Sequence, residues 1–165
     1  MDEVPPGTKE ALQHYFDTQH EFLSWLGIEV ETFEYGHAVM RIPYDTKLTN
    51  VPWEGLDEDD DHRPPVQGGV ASTLIDVVGG VVLRPYLPDP VNDNVATINL
   101  NVNYLRQTTD DLVATADVIR AGGTVGVSQV MVESEVPDEG MVPVAAGMGA
   151  YRLFKSTPDD SSDGA

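Results

Sequence analysis

The sequence predicts an α+β fold in which one antiparallel sheet wraps around a buried central helix, with a further helix at the N-terminus. Three observations predict it. Residues from about Gly68 to Leu83 are apolar on almost every side, and a helix of that kind belongs in a core. Ala96, Ile98, Leu100, Val102 and Tyr104 alternate with Thr97, Asn99, Asn101 and Asn103, the period of two of a strand. Three more strand-like runs follow with tight turns between them, which disfavours a parallel βαβ array.

In chain order, Thr8 is placed to cap a helix running to about Leu26. Its apolar residues Leu12, Tyr15, Phe16, Phe22, Leu23 and Leu26 recur at helical spacing, and Gly27 can end it. Strands over about Ile28–Tyr35 and Ala38–Pro43 turn at Gly36-His37. Residues 47–65 read as an irregular segment carrying Asp57-Glu58-Asp59-Asp60-Asp61. After the central helix and the alternating strand, further strands fit Leu112–Ala121, Thr124–Val136 and Met141–Phe154. Gly122-Gly123 and Pro137-Asp138-Glu139-Gly140 supply their turns. Residues 1–155 thus make one domain, and 156–165 an acidic, disordered tail.

Composition narrows the function. The 165 residues hold 28 acids against 9 Lys plus Arg, a formal charge of −19. Such a surface repels nucleic acid and anionic lipid. The acids are spread along the whole chain, which suits a high-salt cytoplasm where a Debye length of about 3 Å screens self-repulsion. There is no cysteine, so disulfides, thiolate metal sites and a cysteine nucleophile are excluded. Met1–Gly7 lacks a basic and then apolar leader, and the expected location is cytoplasmic. The Asp57–Asp61 run lacks calcium-loop spacing, so no metal is expected. No phosphate loop, dinucleotide fingerprint or nucleophile elbow occurs.

Asp76 is the residue that does not belong. It is the only charge between Arg63 and Arg84, in the middle of the most apolar helix. Aspartate is a poor mid-helix residue, and burying it unpaired costs several kcal/mol. A structural bond to a neighbouring strand, or to Ser72 or Thr73, would also account for it. At the start of the same helix, Gln67-Gly68-Gly69 leaves backbone N–H groups uncovered at the positive end of the helix dipole. Such a group can hold a developing oxyanion. Gly68 and Asp76 stand eight residues apart, about 12 Å along a helix, too far for one carbonyl to touch both. Two such helices packed antiparallel in a C2 dimer would bring the start of one to the middle of the other. The Gly79-Gly80 pair would then allow close approach of the second backbone.

These residues carry a family pattern. Leu48-Thr49-Asn50, Gln67-Gly68-Gly69-Val70-Ala71, Asp76 and Asn101-Val102-Asn103-Tyr104-Leu105-Arg106 occur in the order and spacing of the PaaI-like (phenylacetate-pathway type) acyl-CoA thioesterases. The chain resembles that group of the hotdog superfamily from about Phe22 to Phe154. The resemblance implies a hotdog fold and hydrolysis of an acyl-CoA thioester to free acid and coenzyme A, with no cofactor beyond the coenzyme A of the substrate. It implies Asp76 as general base or nucleophile, Gly68 N–H as oxyanion donor, Asn50 positioning water or carbonyl, and Thr97 orienting the water. It implies a homodimer with shared sites, Asp76 and Thr97 from one subunit and Asn50 and Gly68 from the other, and often a tetramer of two dimers.

Two departures stand out. The family usually has His directly before the Gly pair, where this chain has Gln67, able to orient but not to titrate. The stretch between Asn50 and Gln67 is longer and acidic, either a lid or an elaboration. His62 within it is a stand-in for the absent His or a solvated loop residue. His14, His20 and His37 are expected to have no chemical role. Coenzyme A is polyanionic, so a basic residue is expected near the mouth. Arg84, Arg106 and Arg120 are the candidates, with Gly69 beside the substrate. The competing functions are a hotdog dehydratase or hydratase, which usually wants an Asp/Glu–His pair, and a non-catalytic acyl-CoA binding protein.

Overall fold

The computed structural model describes residues 3–50 and 63–156. Along the chain run α1 (Thr8–Gln19), α2 (Glu21–Leu26), β1 (Glu29–Glu34), β2 (His37–Ile42), α3 (Gly68–Val81), β3 (Asn94–Tyr104), β4 (Leu112–Ala121), β5 (Val125–Val136) and β6 (Gly140–Phe154). Single 3-10 turns lie at Thr46–Leu48 and Arg84–Tyr86. The acidic run Asp57–Asp61, His62 and the tail beyond Ser156 lie outside the described residues.

The central helix and all six strands stand where periodicity put them. The N-terminal helix differs. It breaks at His20, whose φ of −128° and ψ of 89° leave the helical region, and restarts as α2. His20 caps the second helix by accepting the Leu23 amide on Nδ1 at 3.4 Å. Thr8 is not the cap of α1. Gly7 holds that place, and the Thr8 hydroxyl donates to the Pro5 carbonyl at 2.7 Å. Gly27 ends α2 in the left-handed region, φ 71°, with its N–H returned to the Leu23 and Ser24 carbonyls.

The strands form one antiparallel sheet in the order β1-β2-β4-β5-β6-β3. The connection from β2 to β3 crosses the whole sheet and carries α3 over one face, where the helix touches β2 through β6. Leu74, Ile75, Val78 and Val82 are fully buried there, against Met40, Ile42, Ala114 and Val132. A sheet curled round one apolar helix is the hotdog arrangement expected above.

Two parts of this core are left open. On α3, Ser72, Thr73, Asp76 and Val77 are only half-buried; their spacing of one, four and five residues makes a single stripe turned from the sheet. Strand β3 pairs with β6 on one side and lies at the sheet edge on the other. Its Ile98 and Tyr104 and the adjoining Leu105 are more than half exposed.

Candidate active site

The half-buried Asp76 reaches across from α3 to β3, where the Thr97 hydroxyl donates to its Oδ1 at 2.7 Å. Helix and strand meet here because α3 runs beside the sheet's last strand. Both residues line a cavity of about 250 Å³. Its other walls come from the N-terminal helices (Tyr15, Phe16, His20 and Leu23) and from Arg84, Asn94 and Tyr151. The carboxylate therefore has one fixed donor and an open approach.

Below it, Tyr151 of β6 holds the helix itself. Its buried hydroxyl donates to the Asp76 main-chain carbonyl at 3.2 Å, and burial pushes that phenol far above its ordinary range. The Ser128 hydroxyl of β5 donates to the Gly79 carbonyl at 2.8 Å. Two strand hydroxyls thus grip two helix carbonyls one turn apart. The Gly79-Gly80 pair, expected to admit a second helix, is filled by Tyr151 instead: a Cβ on Gly79 would lie 2.3 Å from its hydroxyl.

The start of α3 forms a different hollow. Asn50, Gln67 and Gly68 line a cavity of about 380 Å³ together with Ala71, Tyr104 and Arg106. The exposed Gln67 caps the helix, its side-chain oxygen accepting the Gly69 amide. Among the described residues nothing accepts the Gly68 N–H, which stays free at the helix start. The Tyr104 ring covers this glycine; a Cβ there would lie 3.1 Å from it. Gly69 N–H, by contrast, is already committed to Gln67.

The predicted residues therefore fall into two groups in one chain, Asp76 with Thr97 and Asn50 with Gln67 and Gly68. The arginines scatter. Arg106 borders the second hollow but forms a two-pronged pair with Glu139, both contacts 2.8 Å. That pairing draws the Glu139 carboxyl below its ordinary value. Exposed Arg120 lines neither cavity. Arg84 lines the Asp76 cavity.

Residues 66–141 match the model of the thioesterase superfamily. A Halobacterium salinarum protein, provisionally named an esterase, is 46% identical over 146 residues, 87% of this chain and 91% of that one. The chain belongs to the thioesterase superfamily. Solved structures carry the same fold. A Haemophilus influenzae thioesterase superposes with a TM-score of 0.71 at 19% identity, over 94% of this chain and 96% of that one. A Silicibacter pomeroyi thioesterase-family protein gives 0.70 at 20% identity, over 89% and 98%.

Within this thioesterase-superfamily chain, several site residues escaped the sequence reading. Tyr151 sits in a strand alternation that marks it as core, and its bond is to main chain. His20 reads as one polar residue of an amphipathic helix, yet the helix break turns it into the Asp76 cavity. Tyr104 reads as part of the strand motif, and the alternation carries no sign that its ring covers Gly68.

Proposed function

We propose that the protein is an acyl-CoA thioesterase of the PaaI-like kind, and that each working site is shared between two copies. The observation that carries this reading is the separation just described. The carboxylate with its hydroxyl partner occupies one hollow, and the free helix-start N–H occupies another. Antiparallel apposition of two α3 helices through the half-exposed stripe at Ser72, Thr73, Asp76 and Val77 would join Asp76 of one copy to Gly68 of the other. The open edge of β3 supports the same pairing. Eleven residues of unpaired strand edge are a liability that a second β3 would remove.

The chemistry then runs without a metal. The thioester carbonyl oxygen accepts the Gly68 N–H at the positive end of α3, and Asn50 beside it steadies carbonyl or water. Asp76, aimed by Thr97, takes a proton from water as the water oxygen bonds to the carbonyl carbon. The tetrahedral oxyanion rests on Gly68 N–H. The C–S bond then breaks, the sulfur leaves with the proton that Asp76 held, and the free acid remains. Base help of this sort is worth about 10²–10⁴-fold, and one oxyanion donor about 10²–10³-fold. Gln67 serves as cap and positioner rather than as a titrating group. The cell compartment that fits this substrate and this charge is the cytoplasm.

The test is thiol release from a panel of acyl-CoAs. Wild type should release thiol, and Asp76→Asn should lose about 10²–10⁴-fold in kcat. Full turnover by the variant would end the assignment.

A further inference from the structure

The Asp76 cavity holds a cation that the reaction does not use. Arg84 follows the last turn of α3, eight residues past Asp76, about 12 Å if helical rise is kept. Its Nη1 donates to three main-chain carbonyls, Pro90 at 3.0 Å, Val91 at 3.0 Å and Asp93 at 3.1 Å. That fork fixes the guanidinium. Nε and Nη2 make no hydrogen bond to any described residue, yet neither is sealed from solvent.

Its electrostatic setting is unusual for so acidic a protein. Two arginines are half-buried in the described chain. Arg41 pairs with Glu31 at 3.0 Å and Asp111 at 3.4 Å. Arg84 has no carboxylate within ion-pair distance among the described residues. Burial pushes its guanidinium below the ordinary arginine value, against the pull of Tyr15, Asp93 and Asp89 acting at longer range. It stays charged, so a half-desolvated positive charge with spare donors lines the cavity. The cavity of about 250 Å³ has Phe16, Leu23, Val77 and Val81 beside Asp76, walls that suit an acyl group better than a nucleotide. Arg84 also borders an adjoining hollow of about 310 Å³ with Tyr15 and Asn94.

Further polar side chains line the same cavity. His20, whose Nδ1 accepts the Leu23 amide at 3.4 Å, is one of them. Asn94 adds an amide. Phe16, Leu23, Val77 and Val81 supply apolar wall to the same cavity, enough for a short methylene chain.

We propose that Arg84 selects acyl groups that end in a carboxylate, so that the preferred substrates are short dicarboxylic mono-CoA thioesters. The proposal rests on the thioesterase reading and specifies its substrate class. Arg84 Nε and Nη2 receive the terminal carboxylate, while the thioester carbonyl lies at Asp76.

The experiment compares matched acyl-CoAs of four to eight carbons, each as the plain acyl and as its ω-carboxylate, at fixed molar KCl. Wild type should favour the carboxylate of at least one pair by about tenfold to hundredfold in kcat/KM, the factor of one charge-assisted hydrogen bond. In Arg84→Gln that ratio should fall toward one. Should loss of the carbonyl fork unfold the variant, inhibition of wild type decides instead: free dicarboxylates should inhibit more strongly than monocarboxylates of equal length. A wild type that prefers plain acyl chains, or a preference unchanged in Arg84→Gln, overturns the proposal and leaves the thioesterase standing. No thiol release from any member overturns the thioesterase itself.

Discussion

At the scale of single residues, the Thr97 hydroxyl fixes which oxygen of Asp76 faces the open cavity. One oxygen accepts at 2.7 Å and the other is left to act. Thr97→Val keeps the shape and removes the donor, and should lower kcat by about tenfold with little change in KM, the worth of one charged hydrogen bond. Thr97→Ser should restore most of it. Steady-state kinetics of the three proteins is the check. Gly68 offers a sharper cut. Proline is welcome at the first position of a helix, and Gln67 already has the extended backbone that must precede it, φ −67°, ψ 132°. Gly68→Pro should keep the helix start once the exposed Tyr104 ring gives way by a few tenths of an ångström to the added Cβ. It should lose the free N–H and drop kcat by about 10²–10³-fold, with circular dichroism checking the fold. Asp76 was legible in sequence because a charge contradicts an oily helix. Arg84 was legible as basic, but not as the neighbour of Asp76, since no periodicity tells which loop will fold back on a guanidinium.

At the scale of elements, the seat of α3 on the sheet is set by Tyr151 and the glycines around it. A Cβ on Gly79 would lie 2.3 Å from the Tyr151 hydroxyl and 3.1 Å from the ring carbon that bears it. On Gly149 it would meet the hydroxyl at 2.3 Å and two ring carbons at 2.4 and 2.5 Å. Either alanine should destabilise the fold by about 1–3 kcal/mol through overpacking. Tyr151→Phe alone should cost about 1 kcal/mol. Combined with Gly79→Ala it should recover part of the loss, because the offending atom is gone; combined with Gly149→Ala it should not, because the ring still collides. A double-mutant cycle by denaturant unfolding reads the difference. The strands and α3 were legible because their periods of two and 3.6 are long and clean. The break at His20 was not, since the apolar spacing continues through it from Phe16 to Leu23 and Leu26.

At the scale of the whole molecule, charge and assembly act together. A formal −19 on each chain makes two copies repel, and salt shortens the range of that repulsion. Dialysis from molar to millimolar KCl should separate the copies and then melt the fold, followed by sedimentation and circular dichroism. Shared sites have their own test. Asp76→Asn and Gly68→Pro should each be nearly inactive, yet refolded together at equal amounts they should regain about a quarter of wild-type activity, since half the dimers are mixed and each then holds one intact site. A shared site is legible in sequence through the roughly 12 Å between two groups on one helix. The open β3 edge that supports it was not, because strand order cannot be read from a linear alternation.

If two copies join along the open edge of β3, turnover depends on how much protein is present. If an isolated copy holds only half of each reaction centre, dilution should silence the enzyme while its helices and strands persist. Rate would then climb with the square of concentration at the dilute limit and become proportional to it once association saturates.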